Sequence, residues 1–329
     1  MKSQKKKPKL LYYDMLNFQQ ANLDLIETVF DLVTVSTPDQ DDQVELSGID
    51  ACFAPLGYFF NQEKMRKMPK LKVICSNTTS VPHIDERQAK LNNLKVVSLQ
   101  YEIEFLKTIT PTAEHTWGLL LALTRYIPKS FQSVLDGKWS RWPFGARSMM
   151  SRMSLGIVGY GRVGSIVANY GVAFGMKVLV FDPYKTVGDL LNIKQVDSLE
   201  LLVSEVDVVS LHMHLTKETE GLINKELFLK FKHGSYLINT ARGAIVDSNS
   251  LVEALLSEKI SGAATDVLDD EFEQGADFSV IEHPLVDYAT THDNLIITPH
   301  IAGSTQDAWF ETQRFTIQRM IEWFEQNDK

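Results

Sequence analysis

Short apolar runs alternate with more polar, helix-compatible stretches along the first part of the chain. Between Leu10 and Val97 the polar stretch NQEKMRKM is typical of a helix, and the apolar runs are KLLYYDM, ACFAPLG, LKVICSN and LKVVSL. Strand-length apolar runs separated by helical segments indicate a small α/β domain.

A second and more regular alternation begins at the run LGIVGYG. The later strand-like runs are KVLVFDP, VDVVSLH, SYLINT, SGAATDVL and NLIITPH, and helical patterns separate most of them. Such repetition requires right-handed crossovers, so it predicts a parallel, doubly wound sheet of the Rossmann type. We therefore expect an α/β fold with two domains.

Two further helices are predicted outside these alternations. The segment Thr112–Ile127 is apolar nearly all round, which is typical of a helix buried between domains or subunits. Past Gly303 a long helix is expected, with Ser304 or Thr305 as its N-cap. Its apolar positions recur at helical intervals: Phe310, Ile317, Ile321 and Phe324.

Composition narrows the class of protein. A chain of 329 residues with 44% hydrophobic and 23% charged residues is ordinary for a globular protein of two domains. A net charge of −9 argues against a nucleic acid as the main partner. The short basic run at Lys2 and Lys5–Lys7 is expected to be a solvated terminus rather than a nucleic-acid arm.

Location is predicted from apolar runs and cysteine usage. No apolar stretch of the kind found in a signal-peptide h-region follows the basic run, so we expect no signal peptide. The longest apolar run, Trp117–Leu123, is too short to cross a bilayer, so no membrane contact is expected. Cys52 and Cys75 form neither a disulfide framework nor a zinc cluster, and we expect reduced thiols in a cytoplasmic protein.

The segment GIVGYGRVG carries a glycine pattern that suits a diphosphate. Gly159, Gly161 and Gly164 match G-x-G-x-x-G between an apolar strand and a helical segment, where glycine permits a tight turn, close approach of a pyrophosphate and helix packing. The next strand ends in Asp182, where a carboxylate would accept hydrogen bonds from a ribose diol. Because that carboxylate would repel a 2′-phosphate, the cofactor is predicted to be NAD rather than NADP.

Three residues are candidates for hydride-transfer chemistry, which needs a proton exchanger and a cation for the substrate. His300 follows a strand at the carboxyl edge of the sheet, where ligands bind in such folds. Glu271 would orient its imidazole and keep it protonated. Arg242 offers a planar fork that matches a carboxylate.

Each candidate has a structural alternative. Arg242 would otherwise pair with a structural aspartate, and His300 would be a hydrogen-bonded core histidine. Glu271 lies in the acidic run DDEFE, which is ordinarily a solvated face. Taken alone, Glu271 has the weakest signal of the three.

A set of motifs in fixed order resembles the D-isomer-specific 2-hydroxyacid dehydrogenase family. These motifs are TAEHT, LGIVGYGRVGSIV, FGMKVLVFDP, LHMHLTKETEGLI, INTARGAIVDSNSLVEAL, AATDVLDDE and NLIITPHIAGST. The likeness is strong from Thr112 to Thr305 and weaker outside. It implies a catalytic triad of Arg242, Glu271 and His300.

The resemblance also implies a domain plan and an assembly. A smaller, flavodoxin-like α/β substrate domain would comprise residues 1–111 and 304–329, and an NAD-binding Rossmann domain would comprise residues 112–303. Such enzymes are commonly homodimers that pack through the helix at Thr112–Ile127. The implied activity is hydride transfer between NAD(H) and C2 of a D-2-hydroxy acid or 2-oxo acid.

The residues expected to contact NAD come from several loops of the second domain. The whole expected set is Gly159, Tyr160, Gly161, Arg162, Val163, Gly164, Asp182, His212, His214, Thr219, Thr240, Ala241, Asp266 and Gly303. His212 and His214 are predicted to share one face of a strand. Two imidazoles without a third ligand do not indicate a metal site, so lining the cofactor is the favoured role and no metal is expected.

Departures from the family pattern bear on the substrate. Thr78 and Ser80 replace two glycines of the carboxylate-binding loop, and Thr78 and Thr79 are predicted to bind the substrate. Either the hydroxyls narrow the pocket or bond a polyhydroxylated substrate, or a shifted loop keeps the same backbone contacts. Ala54 and Pro55 stand where phosphoglycerate-oxidising members usually carry Arg-Ser, so no phosphate clamp is expected there. The segment Phe272–Asn294 is longer than the family's usual connector and is predicted to shape the cleft.

Two other functions remain open from the sequence. One is a dehydrogenase of a sugar acid or a phospho-hydroxyacid in a biosynthetic pathway. The other is a non-enzymatic protein of the same fold that senses NAD, although retention of all three catalytic residue types weighs against it.

Overall fold

The protein is described by a computed structural model at residues 6–188, 192–269, 271 and 282–327. The chain divides into two compact units. The first unit is Met1–Ile109 with Thr305–Lys329, and the second unit is Thr110–Ser304.

The first unit contains a five-stranded parallel sheet with the strand order β2-β1-β3-β4-β5. This is the flavodoxin-like order. The strands are β1 Lys9–Tyr13, β2 Asp31–Val35, β3 Ala51–Phe53, β4 Val73–Cys75 and β5 Lys95–Val97. The helices that follow them in the chain are α1 Gln20–Val29, α2 Gln62–Lys67, α3 Glu86–Leu91 and α4 Ile103–Leu106.

The second unit contains a seven-stranded parallel sheet. Its strands are β6 Ser154–Val158, β7 Lys177–Phe181, β8 Ile193–Gln195, β9 Val208–Leu211, β10 Ser235–Asn239, β11 Ile260–Thr265 and β12 Leu295–Ile297. They follow the order β12-β11-β10-β9-β6-β7-β8, so the direction of winding reverses between β6 and β9. Ligands of doubly wound sheets bind at such a reversal, outside the carboxyl ends of the strands.

Helices cover both faces of this sheet. They are α5 Pro111–Thr124, α6 Ile127–Leu135, α7 Arg162–Ala173, α8 Leu199–Glu205, α9 Lys225–Phe228, α10 Ser248–Leu256 and α11 Pro284–Ala289. One apolar cluster joins α5 and α7 to the sheet, and another joins α8 to α11 to the sheet. The predicted fold class, a Rossmann-type sheet with a smaller flavodoxin-like unit, is confirmed.

The helix predicted at Thr112–Ile127 ends earlier than its apolar pattern suggested. α5 ends at Thr124, and Tyr126 adopts a left-handed backbone with φ of 55° before α6 begins. α5 lies against α7, β10 and β11 of its own unit, so packing within the unit already explains why it is apolar nearly all round.

The last helix, α12 Gln306–Asn327, belongs to the first unit. Its side chains Ile317, Met320 and Phe324 are buried in the same cluster as Leu10 and Val73 of that unit's sheet. Of the two predicted N-caps, Thr305 takes the role, because its Oγ1 accepts the N–H of Ala308 at 3.3 Å. Among the helices described, none combines the length and the apolar character that a bilayer crossing requires.

Candidate active site

The three glycines of the first βα turn are required for different reasons. Gly159 has φ of 91°, and a Cβ there would lie 2.8 Å from the carbonyl oxygen of His212. A Cβ on Gly164 would collide with the carbonyl oxygen of Gly159. At Gly161, by contrast, a Cβ would meet no atom within 4 Å among the described residues that are not its immediate neighbours in the chain or the helix. The turn is therefore open beside the start of α7, whose first-turn N–H groups suit an anion.

Asp182 is held in place by two backbone groups immediately after β7. Its Oδ2 accepts the N–H of Tyr160 at 2.8 Å, and its Oδ1 accepts the N–H of Tyr184 at 2.9 Å. Lys185 donates from Nζ to the carbonyl oxygen of Tyr160 at 3.0 Å, which ties the same two segments together. The carboxylate thus lies one residue past a strand end, beside the glycine turn, as a ribose diol requires.

His212 and His214 follow β9 rather than forming part of it. The strand ends at Leu211, so the predicted pairing of the two imidazoles on one strand face is wrong. Nε2 of His212 lies 2.8 Å from Oγ of Ser210, and desolvation lowers the pKa of His212 to about 3, so the ring is neutral. The side chain of His214 is exposed, and its carbonyl oxygen accepts the hydroxyl of Thr219 at 2.7 Å.

The segment after β10 carries Thr240, Ala241 and Arg242. The side chain of Asn239 accepts the N–H of Ala241 and donates to the carbonyl oxygen of Arg242, each at 3.0 Å. Nη1 of the half-buried Arg242 donates to the carbonyl oxygen of Ala241 at 2.6 Å. The hydroxyl of Thr240 is buried 2.7 Å from that of Thr116 on α5. One asparagine therefore fixes the turn from which the guanidinium projects.

His300 and Glu271 are brought together although 29 positions separate them in the chain. Nδ1 of His300 lies 2.8 Å from Oε1 of Glu271, and Oε2 of Glu271 accepts the N–H of Leu268 at 3.3 Å. The imidazole is placed by an unusual backbone, since His300 has φ of 51° three residues past the end of β12. Its N–H donates to the carbonyl oxygen of Asp266 at 2.9 Å.

Asp266 organises the loop that carries His300. Its carboxylate is buried and accepts the N–H of Ile301 at 3.0 Å, the N–H of Ala302 at 2.7 Å and the hydroxyl of Thr298 at 2.5 Å. Nε2 of His115 lies 2.9 Å from that hydroxyl and 3.4 Å from Oδ1 of Asp266. Gly303 continues the same loop.

His115 and Thr298 are site residues that sequence reasoning missed. The motif TAEHT, which includes His115, marked the family but carried no assigned role. Only the folded chain shows that His115 reaches Thr298 and, through it, Asp266.

The predicted substrate residues Thr78 and Thr79 lie in the first unit. The hydroxyl of Thr78 donates to the carbonyl oxygen of Ser80 at 2.6 Å and lies 2.8 Å from Oγ of Ser76. Ser76 in turn lies 3.1 Å from Nε2 of the buried His83. The Thr78 hydroxyl therefore has partners within its own loop, which favours a role in shaping the loop.

The predicted insertion and the expectation of no metal site can be compared with the structure only at the described residues. Of the predicted insertion Phe272–Asn294, residues 272–281 lie outside the described residues, and α11 belongs to the remainder. Within the described ranges, no group of three or more His, Cys, Asp or Glu side chains is arranged to hold a metal ion.

The sheet reversal, the open glycine turn and the anchored Asp182 define a dinucleotide-binding protein of the doubly wound α/β class. Residues 117–302, more than half of the chain, match the family model described as "D-isomer specific 2-hydroxyacid dehydrogenase, NAD binding domain". The chain belongs to the D-isomer specific 2-hydroxyacid dehydrogenase family, and the expectation of NAD as its cofactor is confirmed.

Individual relatives agree with this membership. The chain is 36% identical to D-3-phosphoglycerate dehydrogenase of Bacillus subtilis over 286 residues, or 86% of this chain and 51% of that protein. It is 34% identical to hydroxypyruvate reductase of Thermotoga maritima over 238 residues, or 72% of each chain. D-lactate dehydrogenase of Aquifex aeolicus, solved with NAD and lactic acid, has a TM-score of 0.80 at 29% identity, covering 97% of this chain and 96% of that one. The chain spans about half the length of the D-3-phosphoglycerate dehydrogenases it matches.

Proposed function

We propose that the protein is an NAD-dependent oxidoreductase that transfers a hydride between NAD(H) and C2 of a D-2-hydroxy acid or its 2-oxo counterpart. The observation that carries the proposal is the 2.8 Å contact between His300 and Glu271. It lies on the loop that Asp266 holds at the carboxyl edge of a dinucleotide-binding sheet. A hydrogen-bonded imidazole and carboxylate at that edge form a proton-exchanging pair.

In this proposal, proton transfer runs through His300. The carboxylate of Glu271 accepts a hydrogen bond from Nδ1–H, which assigns the other nitrogen, Nε2, to the substrate oxygen. During reduction of a ketone, Nε2 gives its proton to the oxygen, and Glu271 stabilises the positive charge that the ring carries beforehand. During oxidation of the alcohol, Nε2 takes the proton back.

We assign the substrate carboxylate to Arg242, and we keep the loop that carries Thr78 and Thr79 as the predicted substrate-binding loop of the first unit. The guanidinium of Arg242 presents paired N–H donors that match the two oxygens of a carboxylate. Its turn is held by Asn239, so the fork has a fixed origin. In this assignment the first unit is the substrate domain and the second unit is the NAD-binding domain.

The residues that would hold NAD are the predicted set. Gly161 to Val163 would face the pyrophosphate, Asp182 would face the adenosine ribose, and Thr240 with Asp266 would lie near the nicotinamide. The neutral ring of His212 suits a place beside an uncharged part of the cofactor. When bound, the nicotinamide accepts or donates the hydride.

We propose that the substrate carries no phosphate. The reason is the residue at position 54, which is an alanine. Ala54 is 3% exposed, and its N–H is used by the carbonyl oxygen of Cys75 at 2.8 Å. Neither Ala54 nor Pro55 carries a cation that would neutralise a phosphate dianion. A small 2-oxo acid of the glyoxylate, hydroxypyruvate or pyruvate type therefore fits better than a phospho-hydroxyacid.

A homodimer in the cytoplasm completes the proposal. Large apolar side chains are exposed on α6 and in the loop after it, which supports an interface near α5: Ile127, Phe131, Leu135, Trp139 and Trp142. Cys52 and Cys75 are buried free thiols, which suits a reducing compartment. Size-exclusion chromatography with light scattering measures the assembly directly.

The test of the activity is a screen of 2-oxo acids that follows loss of NADH absorbance, with NADPH in parallel. We expect turnover of at least one small 2-oxo acid with NADH, and a product of D configuration wherever the product is chiral. Tight NADH binding without turnover of any acid would favour the NAD-sensing alternative. Strong preference for a phosphorylated acid would contradict the substrate assignment.

A further inference from the structure

Two polar side chains from separate segments of the second unit meet at the carboxylate of Asp269. Oγ of Ser248 donates to Oδ1 of Asp269 at 2.6 Å, and Nε2 of His283 lies 2.7 Å from the same oxygen. Ser248 is the first residue of α10, and His283 is the N-cap of α11. Ser248 and His283 are both buried. We call Ser248, Asp269 and His283 the Asp269 cluster.

Both ring nitrogens of His283 are engaged, which fixes its orientation. Nδ1 accepts the N–H of Leu285 at 3.1 Å, so the proton of the neutral ring is on Nε2 and is donated to Asp269. The hydrogen bonds from His283 and then Ser248 lower the pKa of Asp269 to about 2. Asp269 is therefore a carboxylate that accepts two hydrogen bonds throughout the neutral pH range.

The residue types Ser, His and Asp do not form a nucleophile here. In a hydrolytic triad the imidazole accepts the serine proton and the aspartate holds the far side of the ring. In the Asp269 cluster the hydroxyl of Ser248 donates to the aspartate instead, and Nδ1 of His283 is occupied by Leu285. The Asp269 cluster therefore has a structural role and is not a second catalytic centre.

The Asp269 cluster holds the backbone of Leu268 and Asp269, which precede Glu271 in the chain. Asp269 stands two positions before Glu271, and the N–H of Leu268 donates to Oε2 of Glu271 at 3.3 Å. On another side of these two residues, the backbone of Gly243 packs so closely that a Cβ there would collide with the backbone of Leu268 and Asp269. Gly243 directly follows Arg242. Leu268 and Asp269 thus lie between the start of α10, the start of α11 and the Arg242 segment.

We propose that Asp269 is a positioning residue, which holds the backbone of Leu268 and Asp269 through Ser248 and His283 so that the carboxylate of Glu271 faces Nδ1 of His300. The inference rests on the proposed function, because it acts on the proton-exchanging pair. In this proposal, Ser248 and His283 support the pair of His300 and Glu271 indirectly, through Asp269. The geometry of the pair then depends on the positions of α10 and α11.

The test combines Asp269→Ala, Asp269→Asn and Glu271→Gln in the full chain. Asparagine keeps an oxygen at Oδ1, where both hydrogen bonds end, whereas alanine removes it. We expect Asp269→Ala to lower kcat for 2-oxo acid reduction by about tenfold with the KM for NADH unchanged, and Asp269→Asn to restore most of that loss. Adding Asp269→Ala to Glu271→Gln should lower kcat no further, because Asp269 acts through Glu271.

Asp207→Ala is the matched control. Asp207 accepts hydrogen bonds from the hydroxyl of Ser154 at 2.8 Å and from Nζ of Lys232 at 2.6 Å. It lies at the amino ends of β6 and β9, whereas the Asp269 cluster follows the carboxyl end of β11. Its loss should lower the Tm and leave kcat unchanged. The inference would be overturned if Asp269→Ala lowered kcat by the same factor in the wild-type protein and in the Glu271→Gln variant. It would also be overturned if Asp269→Ala did not lower kcat at all.

A second readout does not depend on turnover. In ¹⁵N NMR of the imidazoles, the His300 signals of Asp269→Ala should move toward those of Glu271→Gln, while the exposed His233 serves as an internal reference. His300 signals that match the wild type would contradict the inference even if no 2-oxo acid were turned over. If Asp269→Ala does not fold, Ser248→Ala and His283→Ala each remove one of the two hydrogen bonds and are measured in the same way.

Discussion

The backbone N–H of His300 donates to the carbonyl oxygen of Asp266 at 2.9 Å, while the carboxylate of Asp266 accepts the next two N–H groups of the same loop. One buried aspartate thereby fixes both the left-handed backbone of His300 and the segment after it. In the proposed function, the residue placed near the nicotinamide also positions the proton-exchanging imidazole. Cofactor placement and proton transfer are thus joined through a single side chain.

Replacing either member of the proton-exchanging pair should lower turnover by different amounts. His300→Ala removes the exchanging group, so kcat should fall roughly 10²- to 10⁴-fold. Glu271→Gln keeps the ring but weakens its partner, so a loss of about 10- to 100-fold is expected. NADH affinity, measured by fluorescence titration, should stay within about twofold of wild type in both variants. His233→Ala, an exposed histidine, is the control, and unchanged turnover in His300→Ala would reject the assignment.

Gly161→Ala should separate cofactor binding from folding. Gly161 has φ of −78°, which alanine adopts readily, and its Cβ position is open, so the Tm should be unchanged or slightly raised. The methyl group would occupy the space through which a pyrophosphate approaches the backbone, so the Kd for NADH should rise at least about tenfold. Gly188→Ala, also in open space, should leave the Kd unchanged. An unaltered Kd in Gly161→Ala would place the diphosphate elsewhere.

Asp182→Ser should weaken the preference for NADH over NADPH. The variant loses a charged acceptor worth about 1.5–3 kcal/mol to a ribose hydroxyl, so the KM for NADH should rise by about one order of magnitude. Repulsion of the 2′-phosphate disappears at the same time, so the KM for NADPH should fall. The exposed Asp197→Ser serves as the control for a change of net charge. A cofactor preference that does not change would remove Asp182 from the ribose site.

His212 should make the stability of the protein depend on pH between about 6.5 and 3. Desolvation lowers the pKa of His212 from 6.5 to about 3, so the folded state holds the neutral ring. The resulting stability is fully present above pH 6.5 and is lost as pH falls, by at most about 1.4 kcal/mol per pH unit. His212→Asn should therefore flatten the decline of Tm in this range. His214→Asn, at an exposed ring, should leave the decline as it is, and equal slopes for wild type and His212→Asn would refute the prediction.

Much of the second unit was predictable because its signals are local. The glycine spacing, Asp182 and the residues that follow strand ends occupy short segments whose order alone places them at the carboxyl ends of the strands of a parallel sheet.

Two local features were predicted wrongly. In the first unit, the edge strand β2 was missed because DLVTV is half-exposed and carries no sustained apolar run. The pairing of His212 with His214 was wrong because β9 stops at Leu211, where the chain must turn beside Gly159.

The residues that sequence could not place are those brought together by packing. Asp269 lies in a run of acidic residues. His283, 14 positions later, lies in the segment that the sequence presents as a connector. Neither has a pattern of its own. Their contact exists only once α10 and α11 have docked on the sheet, so it is a property of tertiary structure.

The return of α12 to the first unit has a consequence for synthesis of the chain. Ile317, Met320 and Phe324 complete an apolar cluster whose other members, such as Leu10 and Val73, leave the ribosome long before them. The second unit is continuous in the chain from Thr110 to Ser304, so it has all of its residues before α12 emerges. The nascent protein should therefore acquire a protease-resistant second unit first, while the earlier-made unit waits for its last helix.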